Sequence, residues 1–214
     1  EEMFVFLFTF HMTSIMERKN PLGLIRAFKH AFSHEDQALL VIKTSFGNRH
    51  LLEIDKLNEE AKGANIRIID EVYSTEESLS LMSVSDAYVS LHRSEGLGLT
   101  MAEAMLLGRP TIATRFSGNL DFMDDNNSLL VDFEYETLEK DCPPYAAGLR
   151  WANPSIEHAA KLMRRLYLER DFGRDLGLRA QADLQRRLSY LQSGRHMADR
   201  LLRVLETTHS ELVK

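Results

Sequence analysis

The chain has 214 residues, 44% of them hydrophobic and 27% charged, which suits one soluble α/β domain carrying extra helices. Its formal net charge is −6 at pH 7, and its basic residues form no stripe, which argues against nucleic acid as a partner. The single cysteine, Cys142, excludes an internal disulfide and a cysteine-based zinc site, and we expect a reducing, cytoplasmic compartment.

An apolar segment, Met3–Phe8, follows two glutamates at the start of the chain. It is too short to span a bilayer and lacks a basic flank, so it predicts a buried strand rather than a transmembrane segment or signal peptide. Because a domain seldom opens on its most hydrophobic strand, we expect the chain to start at a domain boundary.

Short apolar runs alternate with helical patterns over the first 131 residues. Helices are predicted over about 20–32, 50–62 and 74–84, the first behind an Asn20-Pro21 start signal, with a short one over 118–123. Strands alternating with helices predict a Rossmann-like, doubly wound, parallel six-stranded sheet flanked by helices. The runs that predict strands are Met3–Phe10, Ala38–Ile42, Ile66–Ile69, Ala87–Leu91, Pro110–Thr114 and Ser128–Val131.

This alternation ends after residue 131. Residues 132–153 contain two adjacent prolines, Gly148 and Trp151, and predict a loop or hairpin packed back on the domain. From Pro154 the apolar spacing predicts three helices, over about 154–167, 171–191 and 195–209. We therefore expect a single domain over 1–214, with a Rossmann-like core over 1–153 and C-terminal helices over 154–214.

The stretch Ser94–Met105 connects the fourth strand to the next helix and reads Ser-Glu-Gly-Leu-Gly-Leu-Thr-Met-Ala-Glu-Ala-Met. Such a glycine loop aims backbone N–H groups and the positive end of a helix at one point, which favours an anion. Ligands of doubly wound sheets bind at this edge, outside the carboxyl ends of the strands. Two acids, Glu95 and Glu103, flank the loop, and phosphate beside sugar hydroxyls is what a nucleotide-sugar presents.

A structural alternative exists for this motif. Thr100-x-x-Glu103 fits a capping box, in which the glutamate needs no ligand and the glycines only form a tight turn. This interpretation leaves Glu95 unexplained, because an acid at the end of a buried strand costs free energy without a partner. From the spacing alone, both interpretations stay open.

The motif resembles the signature of the retaining GT-B glycosyltransferases of family four, in which seven residues separate two glutamates. The likeness covers nearly the whole chain, but only as the C-terminal, donor-binding half of such an enzyme. We expect the family's N-terminal, acceptor-binding domain to be absent from this chain. The other matching segments are Arg18–Pro21, Ala27-Phe28, Gly108–Thr114, Ser117–Asn119, Asn127–Val131 and Trp151-Ala152.

The resemblance implies a role for each matching residue. Glu95 and Lys19 would be catalytic: Glu95 would bind hydroxyls of the donor sugar, and Lys19 would offset charge on the leaving diphosphate. Glu103 would bind the ribose hydroxyls. The loop would hold the distal phosphate through three backbone amides and lie against the sugar at two further residues. The amides are those of Gly98, Leu99 and Thr100, and the residues near the sugar are Gly96 and Leu97.

The chain departs from the family at the second cation for the diphosphate. Many members carry a Gly-Arg pair after the first strand, where this chain has Phe10–Ser14. Either Arg18 or Ser14 could replace the arginine at the donor, or the cation could be missing. Lys43, at the end of the second strand, could reach the nucleotide or simply be solvated, and His11 could face the cleft or be structural.

The resemblance implies a retaining hexosyltransferase that uses a UDP-, GDP- or ADP-linked sugar and needs neither a metal nor another cofactor. A saccharide or lipid-linked acceptor would bind through the missing domain, so we expect the isolated domain to be inactive. We also expect a role in polysaccharide biosynthesis and a cytoplasmic location. Peripheral attachment to the membrane through the missing domain is an option. The alternatives are a non-catalytic nucleotide-binding module and a nucleotide-sugar epimerase of the same architecture.

Overall fold

The computed structural model describes the backbone of residues 3–212 and the side chains of residues 3–205. Six strands form one sheet in the order β3-β2-β1-β4-β5-β6, and all neighbours pair in parallel. The predicted doubly wound sheet is confirmed, with each strand within two residues of its predicted run. The strands are β1 (Phe4–Thr9), β2 (Ala38–Thr44), β3 (Ile66–Asp70), β4 (Ala87–Ser90), β5 (Thr111–Thr114) and β6 (Leu129–Val131).

Helices connect the strands and continue after the sheet. The helix of residues 21–31 packs against those of residues 51–61 and 156–168, and the helix of residues 99–106 packs against those of residues 75–84 and 170–187. The helices are α1 (Met16–Lys19), α2 (Pro21–Ala31), α3 (Leu51–Ala61), α4 (Thr75–Val84), α5 (Leu99–Leu106), α6 (Ile156–Leu168), α7 (Arg170–Arg187) and α8 (Tyr190–Leu212). None of the helices in the described range is both long and apolar enough to pass through a bilayer.

Strand β1 lies in the middle of the sheet, which explains its unbroken apolar sequence. Phe6 and Leu7 point to opposite faces, and both are fully buried. The ring of Phe6 lies 6.2 Å from that of Phe28 and 5.5 Å from that of Phe32, which anchors helix α2. Because β1 has β2 on one side and β4 on the other, the strand order reverses between β1 and β4, where ligands of this architecture bind.

The segment after β6 is a hairpin, one of the two structures predicted for residues 132–153. Its strands β7 (Phe133–Thr137) and β8 (Arg150–Pro154) pair antiparallel. The Ala152 N–H donates to the Arg93 carbonyl at 3.0 Å, so the hairpin contacts the loop that follows β4.

The predicted bounds of the last two helices were wrong. Helix α7 ends at Arg187 and α8 already begins at Tyr190. The Ser189 Oγ accepts the Gln192 N–H at 3.1 Å and thereby caps the start of α8.

Candidate active site

The loop after β4 is held by the loop after β5. The Glu95 N–H donates to Ser117 Oγ at 2.8 Å, and the Gly118 N–H donates to the Glu95 carbonyl at 3.1 Å. A Cβ atom at Gly118 would overlap the carbonyl oxygen of Gly96. Glycine at 118 is therefore required by close approach of the two backbones, and it fixes the position of the residues after Glu95.

Helix α5 begins directly behind this loop. Gly98 is its N-cap and has φ 90° and ψ 49°, a left-handed conformation that glycine adopts without strain. Within the described part of the chain, the backbone N–H groups of Gly98, Leu99 and Thr100 donate to no other residue. Three unpaired N–H groups at the positive end of a helix form a site suited to an anion.

The capping-box interpretation of this motif is wrong. Gly98, not Thr100, is the N-cap, and no side chain caps the helix. A true capping box with the same spacing lies at the start of α4, between Ser74 and Glu77. The Glu103 carboxylate, by contrast, has no hydrogen-bond or ion-pair partner among the described residues, and burial raises its pKa. Glu103 is therefore available to a ligand.

Two cations on helix α1 meet the first acid of the motif. The Lys19 ammonium donates to Glu95 Oε1, and Arg18 Nη1 lies 3.3 Å from Glu95 Oε2. The side chains of Arg18 and Lys19 are 16% exposed and that of Glu95 11%. The structure thus brings together the three charged residues that the sequence singles out, with the Glu95 carboxylate paired to both cations.

Arg18 is also bonded to the backbone of both adjoining loops. Its guanidinium donates to the Ser94 carbonyl at 2.8 Å and to the Ser14 carbonyl at 3.3 Å. Its own carbonyl accepts the Arg93 N–H at 2.8 Å. Ser14, which ends a short 3-10 turn after β1, takes part through its main chain. Arg18 therefore holds the loops after β1 and β4 together.

Asn20 explains why Lys19 lies beside β4. It has φ 55° and ψ 45°, ends α1 and caps α2 by accepting the Gly23 N–H at 3.2 Å. Its Nδ2 donates to the Leu91 carbonyl at 2.8 Å. The sequence predicts Asn20 as a cap but gives no sign of helix α1 or of the link to Leu91.

The middle of the glycine loop is open. A Cβ at Gly96 would meet no atom within 4 Å, and Leu97 and Leu99 are 42% and 65% exposed. A ligand therefore has access to the backbone between Glu95 and the start of α5.

His92 is a structural residue that joins two loops. It is fully buried, with Nδ1 3.1 Å from Ser90 Oγ and Nε2 3.1 Å and 3.2 Å from the Phe116 carbonyl and Asn119 Oδ1. Two oxygen acceptors at Nε2 require a hydrogen there, and burial lowers the His92 pKa, so the ring is neutral. Sequence reasoning did not assign this role, because the partners lie 24 and 27 residues away.

Two further polar residues lie on the β2 side of this edge. His11 Nδ1 is 2.5 Å from Ser45 Oγ, and burial together with the charges of Lys43 and Lys19 lowers the His11 pKa. Lys43 is 6% exposed, and its ammonium lies 4.8 Å from the centre of the Tyr73 ring. No group of three histidine, cysteine or acidic side chains arranged for a metal ion occurs in the described part of the chain.

Comparison with known proteins identifies the family. The profile of the family "Glycosyl transferases group 1" matches residues 7–142, a range that holds every site residue described above. A search of curated proteins gives no match.

Solved structures share this fold at low sequence identity. HepE of Anabaena, in complex with UDP and glucose, is 15% identical with a TM-score of 0.68, and the match covers 94% of this chain and 49% of HepE. Sucrose-phosphate synthase of Thermosynechococcus elongatus is 18% identical with a TM-score of 0.67, over 97% of this chain and 46% of the synthase.

A separate C-terminal domain matches over most of its own length. The C-terminal domain of the group 1 glycosyl transferase LpcC of Francisella tularensis is 17% identical with a TM-score of 0.68, over 88% of this chain and 87% of that domain. The chain thus spans about half the length of the first two proteins and nearly all of this domain.

Proposed function

Because the chain belongs to the glycosyl transferases group 1 family, we propose that it binds a nucleotide-diphospho-sugar at the carboxyl edge of its sheet. The reaction would be glycosyl transfer with retention, without a metal or other cofactor. One observation carries the proposal: the unpaired N–H groups of Gly98, Leu99 and Thr100 follow closely on a partly buried cluster of Lys19, Arg18 and Glu95. A phosphate fits the first group and sugar hydroxyls fit the second.

The diphosphate is the leaving group in this proposal, and the chain stabilises it with fixed donors. Negative charge on the distal phosphate grows as the bond to the sugar breaks, and preorganised N–H groups stabilise such charge without reorganising. Lys19 exchanges its carboxylate partner for a phosphate oxygen when the donor binds. The interaction is stronger in the transition state than in the bound donor, as catalysis requires.

The two acids have different roles in the proposal. Glu95, which two cations hold in place in the ligand-free chain, accepts hydrogen bonds from the sugar hydroxyls. Glu103 lies one turn after the start of α5. It has no partner in the described part of the chain and accepts hydrogen bonds from the ribose. A hydrogen bond to a charged group contributes about 1.5–3 kcal/mol, enough for each acid to be measured separately.

The acceptor belongs to a second domain. HepE and sucrose-phosphate synthase are about twice as long as this chain, and we propose that a further domain closes the cleft over Glu95 and binds a saccharide or lipid-linked saccharide. The chain alone would then bind the donor without turnover. We further propose a cytoplasmic role in polysaccharide synthesis.

Titration calorimetry with UDP, GDP and ADP tests this function. At least one of them should bind the 214-residue chain, and a chelator should leave the affinity unchanged. Absence of binding for all three at millimolar concentration contradicts the proposal.

A further inference from the structure

A cavity of about 310 Å³ lies at the edge of the sheet opposite the candidate active site. Its wall includes Phe4, which begins β1, Asp86, which precedes β4, and Pro110, which precedes β5. These residues mark the amino ends of three parallel strands, whereas the glycine loop follows the carboxyl end of β4. Helix α5 runs from that loop towards this cavity, so the two places lie at its opposite ends.

Three arginines line this cavity. They are Arg109, which follows α5, and Arg170 and Arg174 on α7. Among the described residues that line it, the only carboxylate is that of Asp86, whose Oδ2 accepts the Val5 N–H at 2.7 Å. The wall therefore carries an excess of two positive charges, in a chain whose net charge is −6. Like charges held this close repel one another unless an anion offsets them.

Arg109 has hydrogen-bonding capacity that the described part of the chain does not use. Its Nη1 donates to the Ser85 carbonyl at 3.1 Å, which fixes the guanidinium. Its buried Nε has no acceptor. The edge of an arginine that carries Nε is one of those that bind two oxygens of a phosphate or carboxylate at once. Because a buried donor without an acceptor costs free energy, this edge indicates an acceptor supplied by a ligand.

Arg170 and Arg174 bring further positive charge from α7. The Arg170 guanidinium lies 5.3 Å from the centre of the Phe4 ring and 6.0 Å from that of Tyr167. Contact with ring faces positions a guanidinium while the N–H groups in its plane stay free to donate. Arg174 Nη2 lies 3.3 Å from Asp171 Oδ1, but both side chains are exposed, and such a pair contributes little. Arg174 can therefore turn to a ligand.

We infer that this cavity binds a small phosphate-bearing molecule and that Arg109 and Arg170 donate hydrogen bonds to its phosphate oxygens. Two excess positive charges match a phosphate dianion better than a carboxylate, which carries one negative charge. A volume of about 310 Å³ is at the small end for ligand sites. The molecule is therefore inorganic phosphate or a phosphate monoester with a short carbon chain. The donor proposed above binds at the other edge of the sheet and has no part in this site.

Amide NMR of the ¹⁵N-labelled 214-residue chain with inorganic phosphate tests this site. The signals of Gly108, Arg109, Gly173 and Arg174 should shift and saturate at millimolar phosphate, and sodium chloride at equal ionic strength should not shift them. A second titration with glycerol 3-phosphate distinguishes the two sources of the phosphate group. Tighter binding than that of inorganic phosphate assigns the cavity to a monoester, and equal or weaker binding assigns it to the free ion.

Two variants test the arginines separately. Arg109→Gln, which keeps a donor for the Ser85 carbonyl, should bind phosphate about tenfold more weakly, as loss of a charge-assisted hydrogen bond does. Arg170→Gln should lose about threefold, because the exposed charge is screened by solvent. Arg195→Gln, at an exposed arginine of α8, is the matched control and should change nothing. Since Arg170 is exposed, its variant keeps the test decisive if Arg109→Gln fails to fold.

Three results overturn the inference. They are the absence of saturable shifts at the four cavity amides, equal shifts with sodium chloride at the same ionic strength, and unchanged phosphate affinity in the folded arginine variants. Shifts confined to Gly98, Leu99 and Thr100 belong to the first result, because they would place phosphate at the start of α5 alone. Binding of nucleotides at α5 is measured separately and decides nothing about this cavity.

Discussion

Lys19 and Glu95 are 76 residues apart in sequence, and the ammonium of the first donates a hydrogen bond to the carboxylate of the second. The contact spans the point between β1 and β4 where the strand order reverses. It keeps both charges compensated in the ligand-free site. A nucleotide-sugar can replace it with two contacts, since phosphate takes the lysine and sugar hydroxyls take the glutamate.

Replacement of the acid should separate the two halves of the donor. In Glu95→Gln the hydroxyl contacts weaken while Lys19 is released towards the diphosphate. We expect a nucleotide-sugar to bind about tenfold or more weakly and the nucleoside diphosphate to bind no more weakly than before. Calorimetry with both ligands measures this. Glu60→Gln, at an exposed pair with Arg26, is the control, and equal weakening for both ligands would refute the division of roles.

Removal of the lysine should weaken the binding of both ligands. Lys19→Met should weaken both the nucleoside diphosphate and its sugar by about tenfold or more, because both carry the diphosphate. Loss of one partner of Glu95 should also lower the free energy of unfolding by about 1–3 kcal/mol. Denaturant unfolding measures the second effect. Lys29→Met, at an exposed position of α2, serves as control, and unchanged nucleotide affinity would exclude Lys19 from the diphosphate site.

Glu103 should matter for binding but not for folding. Since no side chain caps α5, Glu103→Gln removes no cap, and nucleotide affinity should fall about tenfold through the ribose contact. Burial raises the pKa of Glu103, so its contribution to stability is present at low pH and is lost as pH rises through the raised value. The melting temperature of Glu103→Gln should therefore equal that of the unchanged chain near pH 4 and match or exceed it at pH 7. A lower melting temperature of Glu103→Gln at pH 7 would show instead that the Glu103 side chain stabilises the fold.

Alanine variants of two glycines distinguish an effect on ligand binding at the site from an effect on packing alone. A Cβ at Gly118 would overlap the Gly96 carbonyl beside the site, and one at Gly177 would overlap the Gly108 carbonyl between α7 and the end of α5. Each alanine variant should lose about 1–3 kcal/mol of stability, as overpacking does. Only Gly118→Ala should also lose nucleotide binding in its folded fraction, because it displaces the loop after Glu95. Intact binding by folded Gly118→Ala would show that this approach does not shape the site.

The sequence predicts the sheet well because its strands are short, buried and separated by clear helix signals. Six apolar runs correspond to six strands, and the Asn20-Pro21 signal starts α2 as expected. The hairpin over residues 133–154 is less predictable, since β7 is largely exposed and residues 138–149 separate its two strands.

The site itself is only half readable from sequence. The glycine motif marks the position of the loop, but Ser74–Glu77 and Thr100–Glu103 share one spacing and only the first is a capping box. The left-handed conformation of Gly98 makes it the N-cap of α5 and so excludes a capping box at Thr100. The local sequence pattern does not reveal that conformation. The contacts of Arg18 with Ser94 and of Asn20 with Leu91 join residues more than 70 positions apart, so they follow from the fold alone.

The most direct measurement is a titration of the ¹⁵N-labelled chain with the nucleoside diphosphate that binds in calorimetry, followed by amide NMR. If the unpaired N–H groups at the start of α5 hold the distal phosphate, the amide signals of Gly98, Leu99 and Thr100 should show the largest shifts, with saturation at the calorimetric affinity. Saturable shifts of amide signals elsewhere on the chain, with the signals of Gly98, Leu99 and Thr100 unchanged, would contradict the account.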